Sequence, residues 1–275
     1  MNFFSLLPDK LGNFLHKFTQ KKKGSIYDKN HNVKFYRALN SFNFLNQNQK
    51  KFFSKKILEI GTGYCPTASI CFWIIGFKEV ITIDLEKKID NKSFDLLIDW
   101  IKSNKKDILK INGINQERLN LLINLNKKTL EEKVELLSHN GFHYKAPFKL
   151  PNQEFKLNYF DFIFTYDVLE HVPEVDVPDV IEDLVYRTNS CLFIMVSCNP
   201  GRQMFIKGYD KGVKIKDLDE SNYDGEIHSC VKDPKWWVDV LQTASSKVMK
   251  YRSNPLVIKM AMKGIGKRND RKEVV

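Results

Sequence analysis

Leu7, Leu11, Leu15 and Phe18 recur at helical spacing around Pro8, with Phe3 and Phe4 ahead and Lys21, Lys22 and Lys23 behind. This spacing predicts a short amphipathic helix with a basic end. A second helical stretch spans 33–51. It leads into Lys56-Ile57-Leu58-Glu59-Ile60, an apolar run that ends in Gly61-Thr62-Gly63 and reads as a buried strand followed by a turn. Pro66 suits the first helical position, the next helix runs to Ile75 and stops at Gly76, and residues 79–84 read as a second strand. Together they make a strand-turn-helix-strand unit.

From 86 to 140 the apolar period is helical: Phe94, Leu97, Ile98, Trp100 and Ile101, then Leu119, Leu121, Leu122 and Leu125, then Leu130, Val134 and Leu137. Thr129 with Glu132 forms a capping box, and Asn140-Gly141 is a helix stop. An insertion of two or three helices over 90–140 is expected, standing beside the substrate entrance as a lid. Strands follow at 143–146, 160–166 and 191–197, with a helix over 177–188. Asp233-Pro234 opens another helix carrying Leu241 and two adjacent tryptophans, Trp236 and Trp237, one of which belongs in the core. Residues 248–252 and 256–262 are expected to pair as a terminal antiparallel hairpin. The alternation of strands and helices predicts an α/β fold, a doubly wound and mostly parallel sheet with that hairpin and a helical insertion after the second strand. The expected divisions are an N-terminal helical segment over 1–55, a catalytic domain over 56–263 and a basic tail over 264–275.

Composition narrows this picture. At 275 residues the chain can bury a sizeable core. Its richest apolar stretch, 68–77, falls well short of the roughly 20 residues of a membrane-spanning helix. Residues 1–18 lack the basic start and uninterrupted apolar run of a secretory signal, so a cytoplasmic location is expected. Five cysteines show no paired spacing of a zinc site and read as buried, reduced thiols, and no metal is expected. The net charge of +11 is concentrated in the first 56 residues and the tail. That charge points to an anionic partner, whether nucleic acid, a phosphorylated substrate or the inner membrane surface touched by residues 1–23.

Three sequence pieces carry chemistry. Glu59-Ile60-Gly61-Thr62-Gly63 lies where a strand gives way to a helix, so its glycines let backbone N–H groups approach a ligand; the plainer reading is a tight turn. Asp84 ends the next strand 21 residues after Gly63, where a carboxylate accepts from both hydroxyls of a ribose or, more simply, caps a helix. The run from Phe160-Asp161 to Asp167-Val168-Leu169-Glu170-His171-Val172-Pro173 delivers Asp167, Glu170 and His171 to a strand's carboxyl end. Open α/β sheets bind ligands at that edge, although Glu170 and His171 could also merely cap the next helix.

In this order and register the three pieces resemble class I S-adenosylmethionine-dependent methyltransferases, over about 56–263. Leu58 to Thr67 with Gly76 to Leu85 looks like a bacterial branch of that family whose first motif is often written LEIGTGWHP. The resemblance implies S-adenosyl-L-methionine as cofactor, with Glu59, Gly61, Thr62 and Gly63 against its methionine and ribose parts. It also implies Asp84 on the ribose hydroxyls and Asp167 in the same pocket. Two departures stand out: Cys65-Pro66 replaces the third small position of the glycine motif, and Ala146-Pro147-Phe148-Lys149 lacks the acid that commonly reads adenine. Phe148 is expected to cover the adenine face instead.

His171 and His228 are the candidate general bases, since methyl transfer from a sulfonium needs alignment plus removal of a proton from a hydroxyl or amine. The long loop over 199–231 and the helix begun at Asp233 would build the acceptor pocket. A small molecule or cell-surface saccharide is the favoured acceptor. RNA is a permitted alternative, although no RNA-binding module or Asn-Pro-Pro-Tyr-like tetrapeptide is present. A non-catalytic cofactor-binding protein recruited to membranes is the third reading.

Overall fold

The computed structural model describes residues 31–46, 55–148, 159–198, 230, 232–250 and 256–263. The expected helix near residues 7–18, the loop carrying His228, and the basic tail lie outside them. Helix α1 (His31–Asn46) precedes β1 (Lys56–Ile60), α2 (Thr67–Ile75) and β2 (Glu79–Ile83). Four helices follow, α3 (Asn91–Ser103), α4 (Lys105–Ile108), α5 (Gln116–Asn124) and α6 (Leu130–Ser138), before β3 (Phe142–Lys145). The chain then continues through β4 (Phe160–Tyr166), α7 (Val177–Arg187), β5 (Thr188–Ser197), α8 (Pro234–Met249) and β6 (Val257–Lys263).

The six strands form one sheet in the order β3-β2-β1-β4-β5-β6, and every pairing among them is parallel. Alternate residues of a strand serve opposite faces. Ile57, Phe162 and Phe164 join α1, α2, α3, α5 and α6 in one apolar cluster, whereas Leu58 and Ile163 join α7 and α8 in the other, as does Phe160, which a register shift sets off from Phe162. This is the doubly wound, Rossmann-like α/β architecture that the strand-helix alternation predicts.

The terminal hairpin is corrected. β6 runs parallel to β5, from Cys191 opposite Val257 to Ser197 opposite Lys263. Trp237, Leu241, Ala244 and Val248 continue one buried helical stripe, so Val248 belongs to α8 and not to a strand. With α8 as the crossover, the next strand enters the sheet parallel.

The insertion departs from a lid. Asp90 caps α3 at the carboxyl end of β2, with its side chain accepting from Ser93 N–H at 2.7 Å. At the other extreme, the Arg118 guanidinium of α5 donates to the Trp73 and Phe77 carbonyls at 2.8 and 2.6 Å, beside the start of β2. The four helices therefore run down one face as its packed layer, because Leu119, Leu122, Leu130 and Leu137 are spent on the core. The Thr129–Glu132 capping box forms as expected.

Candidate functional site

The strand order reverses between β1 and β4, and their carboxyl ends open a crevice there. Glu59 points from β1 into the protein and is 5% exposed. Its Oε2 accepts from the Thr82 hydroxyl at 2.7 Å and from the Ser69 hydroxyl. Burial pushes the Glu59 carboxyl up to about 7, while those hydroxyls and the charge of Lys34 pull it down and Asp84 adds to the rise. Thr62 Oγ1 contacts both Thr82 Oγ1 and the Ile83 carbonyl, so the glycine turn is sewn to the end of β2. Gly61 N–H donates to the same Ile83 carbonyl at 2.9 Å.

Gly61 adopts φ +83°, and a Cβ there would collide with Val168 Cγ2. This contact carries the Asp167–His171 segment onto the glycine turn. Gly63 is also left-handed, but a Cβ built on it meets nothing within 4 Å, so its backbone faces open space. Beside that space lies the Asp84 carboxylate. Its Oδ2 accepts from Gly63 N–H at 2.8 Å, its Oδ1 from Glu86 N–H at 3.3 Å, and Lys88 Nζ stands 3.7 Å from Oδ1. An accessible turn next to an acid with spare lone pairs fits a ribose edge.

Asp167 follows β4 with φ +51° and donates its N–H to the Met195 carbonyl at 3.0 Å. Asp tolerates the left-handed region better than most residues. Leu169–His171 is a single 3₁₀ turn in which Glu170 is fully buried and His171 half-buried. Phe148 donates its N–H to the Asp84 carbonyl at 2.8 Å, and its ring is 4% exposed, packed with Ile81 and Ile83. Glu59, Gly61, Thr62, Gly63 and Asp84 thus form one hydrogen-bonded group, and Asp167 and His171 are joined to it through Val168. His228 lies outside the described residues.

Other sequence candidates serve the scaffold. Asp161 sits at the amino end of β4, where it accepts from Lys55 Nζ at 3.2 Å and Lys56 N–H at 2.8 Å and pins the start of β1. Trp237 is core; Trp236 packs edge-on against it under Lys232. All five cysteines are buried and unbridged. Among the described residues no helix is long and apolar enough to cross a membrane.

The helix expected over 33–51 is α1 (His31–Asn46), but nothing in the sequence marked it as standing at the site. Phe35, Ala38, Leu39 and Phe42 bury it in the same core as α2. His31 Nδ1 lies 3.2 Å from Thr67 Oγ1 and 3.7 Å from Cys65 Sγ at the helix entrance after the turn. Arg37 stacks over Tyr166, the last residue of β4. The helical period of 33–51 was visible, but not which strand ends that helix would cover.

No protein-family description and no curated protein matches the chain. Among solved structures it is similar to an O-methyltransferase family protein from Burkholderia thailandensis, at 13% identity and a TM-score of 0.37. The match covers 84% of this chain and 64% of that one, so the chain spans less than two-thirds of that protein's length.

Proposed function

We propose that the chain is an S-adenosylmethionine-dependent methyltransferase acting on a hydroxyl or amine of a small molecule or saccharide. The observation that carries this reading is the Asp84–Gly63 contact at the switch point, with the segment after β4 pressed onto Gly61. An acid at the end of β2 beside an open glycine turn is the arrangement a ribose requires.

In this reading Asp84 accepts from the two ribose hydroxyls, with Lys88 Nζ 3.7 Å from its Oδ1 helping to orient it. Leu85, more than half exposed directly after Asp84, offers an apolar surface to a flat base. Phe148 supports that end of the pocket from beneath, through its bond to the Asp84 backbone. Glu59 and Asp167 put carboxyl groups in the deeper part, acceptors suited to the ammonium of a cationic amino-acid and sulfonium end. S-adenosylmethionine supplies, when bound, a methyl group on a leaving thioether that needs no protonation. The protein's work is then to align the acceptor and take its proton, for which His171 stands at the same sheet edge.

Titration calorimetry of the full chain with S-adenosylmethionine tests this. Saturable binding is expected, and Asp84→Ala weakens it by about 1.5–3 kcal/mol, the scale of hydrogen bonds to a charged group. Absence of binding to the unmodified protein sinks the reading; equal affinity of the variant sinks the role of Asp84. A methyl-transfer screen over saccharide, metabolite and RNA pools then identifies the acceptor.

A further inference from the structure

Helix α1 lies outside the three motifs, yet it is fixed against the site. Its apolar residues are held in the core with α2, which sets the rotation of the helix. Lys34 and Arg37, three residues apart, share another face of it. Through Arg37 that face reaches the carboxyl end of β4. The Arg37 guanidinium carbon lies 5.2 Å from the centre of the Tyr166 ring, immediately before Asp167. The Lys34 charge is felt by the Glu59 carboxylate.

Stacking on an aromatic face fixes the plane of a guanidinium while leaving its N–H edge for a planar acceptor. Arg37 is exposed, and none of the ion pairs among the described residues involves it. Around the crevice the acidic and basic groups are therefore divided: Glu59 on β1 and Asp167 just after β4, Arg37 and Lys34 on the helix. A zwitterionic α-amino-acid group matches that division, its ammonium toward the strand acids and its carboxylate toward α1.

We propose that Arg37, assisted by Lys34, holds the α-carboxylate of the cofactor's amino-acid end. This rests on the S-adenosylmethionine reading, and α1 is then a wall of the cofactor pocket. Two N–H groups of one guanidinium grip both carboxylate oxygens, a geometry that a lysine cannot reproduce.

The test is calorimetry of the full chain and its Arg37→Met, Arg37→Lys and Asp84→Asn variants against two ligands, S-adenosylmethionine and its decarboxylated form. Arg37→Met is expected to weaken S-adenosylmethionine about 10- to 100-fold, the range for charged hydrogen bonds, and to leave the decarboxylated ligand within about twofold. Arg37→Lys falls between, retaining charge without the fork. Asp84→Asn weakens both ligands alike. Because Arg37 is exposed, unchanged thermal melting of its variants is expected, and Arg37→Lys keeps the comparison should the Met variant misfold. Equal weakening of both ligands by Arg37→Met, or of neither, overturns the proposal while the cofactor reading stands. Failure of the unmodified chain to bind either ligand overturns both.

Discussion

Val168 packs its Cγ2 methyl against Gly61 so closely that no side chain fits between them. Two motifs more than 100 residues apart are locked by this contact, which brings Asp167 and His171 to the glycine turn. Gly61→Ala meets both a φ of +83° and the Val168 methyl. The backbone strain alone costs about 1–2 kcal/mol, and displacement of the segment after β4 adds to it. Urea denaturation should show a loss of about 2 kcal/mol or more, and Val168→Ala in the same chain should recover the steric part but not the strain. Full recovery by the double variant would mean that φ carries no cost here.

Glu59 makes stability depend on pH. Its carboxyl titrates near 7 in the folded protein against 4.5 when unfolded, because burial penalises the charge. A raised carboxyl binds its proton more tightly in the folded state. Its contribution is therefore fully present below about pH 4.5 and is lost as pH rises through about 7, amounting to about 3 kcal/mol. Glu59→Gln has no charge to bury and should lose much less stability between pH 5 and 8 than the unmodified protein. Parallel denaturation curves for the two proteins across that range would contradict the assignment.

The insertion contains a buried ion pair whose two halves are not equivalent. Lys133 is fully buried, with Nζ 2.5 Å from Asp95 Oδ1 and 2.6 Å from Asn91 Oδ1, whereas the Asp95 side chain is 30% exposed. Removing Asp95 leaves a buried ammonium with one neutral acceptor, while removing the ammonium leaves a carboxylate that water can reach. Asp95→Ala should cost about 3 kcal/mol and Lys133→Met, which keeps the aliphatic stem, about 1 kcal/mol. The reverse order in denaturant midpoints would place the buried charge elsewhere.

What the sequence made legible was local. β1, β2 and β4 are short apolar runs bounded by turn residues, and each leads directly into a residue of the site, so contiguous patterns located Glu59, Gly61, Asp84 and Asp167. Asp161 reads as part of the same motif, yet it lies at the opposite end of a seven-residue strand, roughly 20 Å away, and clamps β1. Direction of pairing was less legible. Residues 248–252 offer a valine and a tyrosine at strand-like density, and only the buried stripe from Trp237 through Val248 places Val248 and Met249 in the helix. Lys34 and Arg37 were not legible at all, since charges on an amphipathic helix ordinarily face water. Their position follows from which face Phe35 and Phe42 bury, a tertiary fact.

His171 offers the sharpest test of the chemistry. The 3₁₀ turn that holds it is closed by its own N–H on the Val168 carbonyl at 3.0 Å, and Val168 in turn rests on Gly61. Its place is therefore tied to the glycine turn by one intervening residue, at the edge where an acceptor would meet the methyl group. A histidine that only supports the turn would, on replacement by alanine, lower stability and cofactor affinity while leaving turnover of the saturated enzyme nearly intact. A base behaves oppositely: His171→Ala should leave cofactor affinity within about twofold and lower kcat by on the order of 10²–10⁴-fold. The same measurement on His228→Ala separates the two candidates, because the reaction needs one proton acceptor. If both variants turn over at near-normal rates between pH 6 and 9, alignment of the acceptor by the pocket accounts for the rate, and the His171 turn serves only to seat Val168.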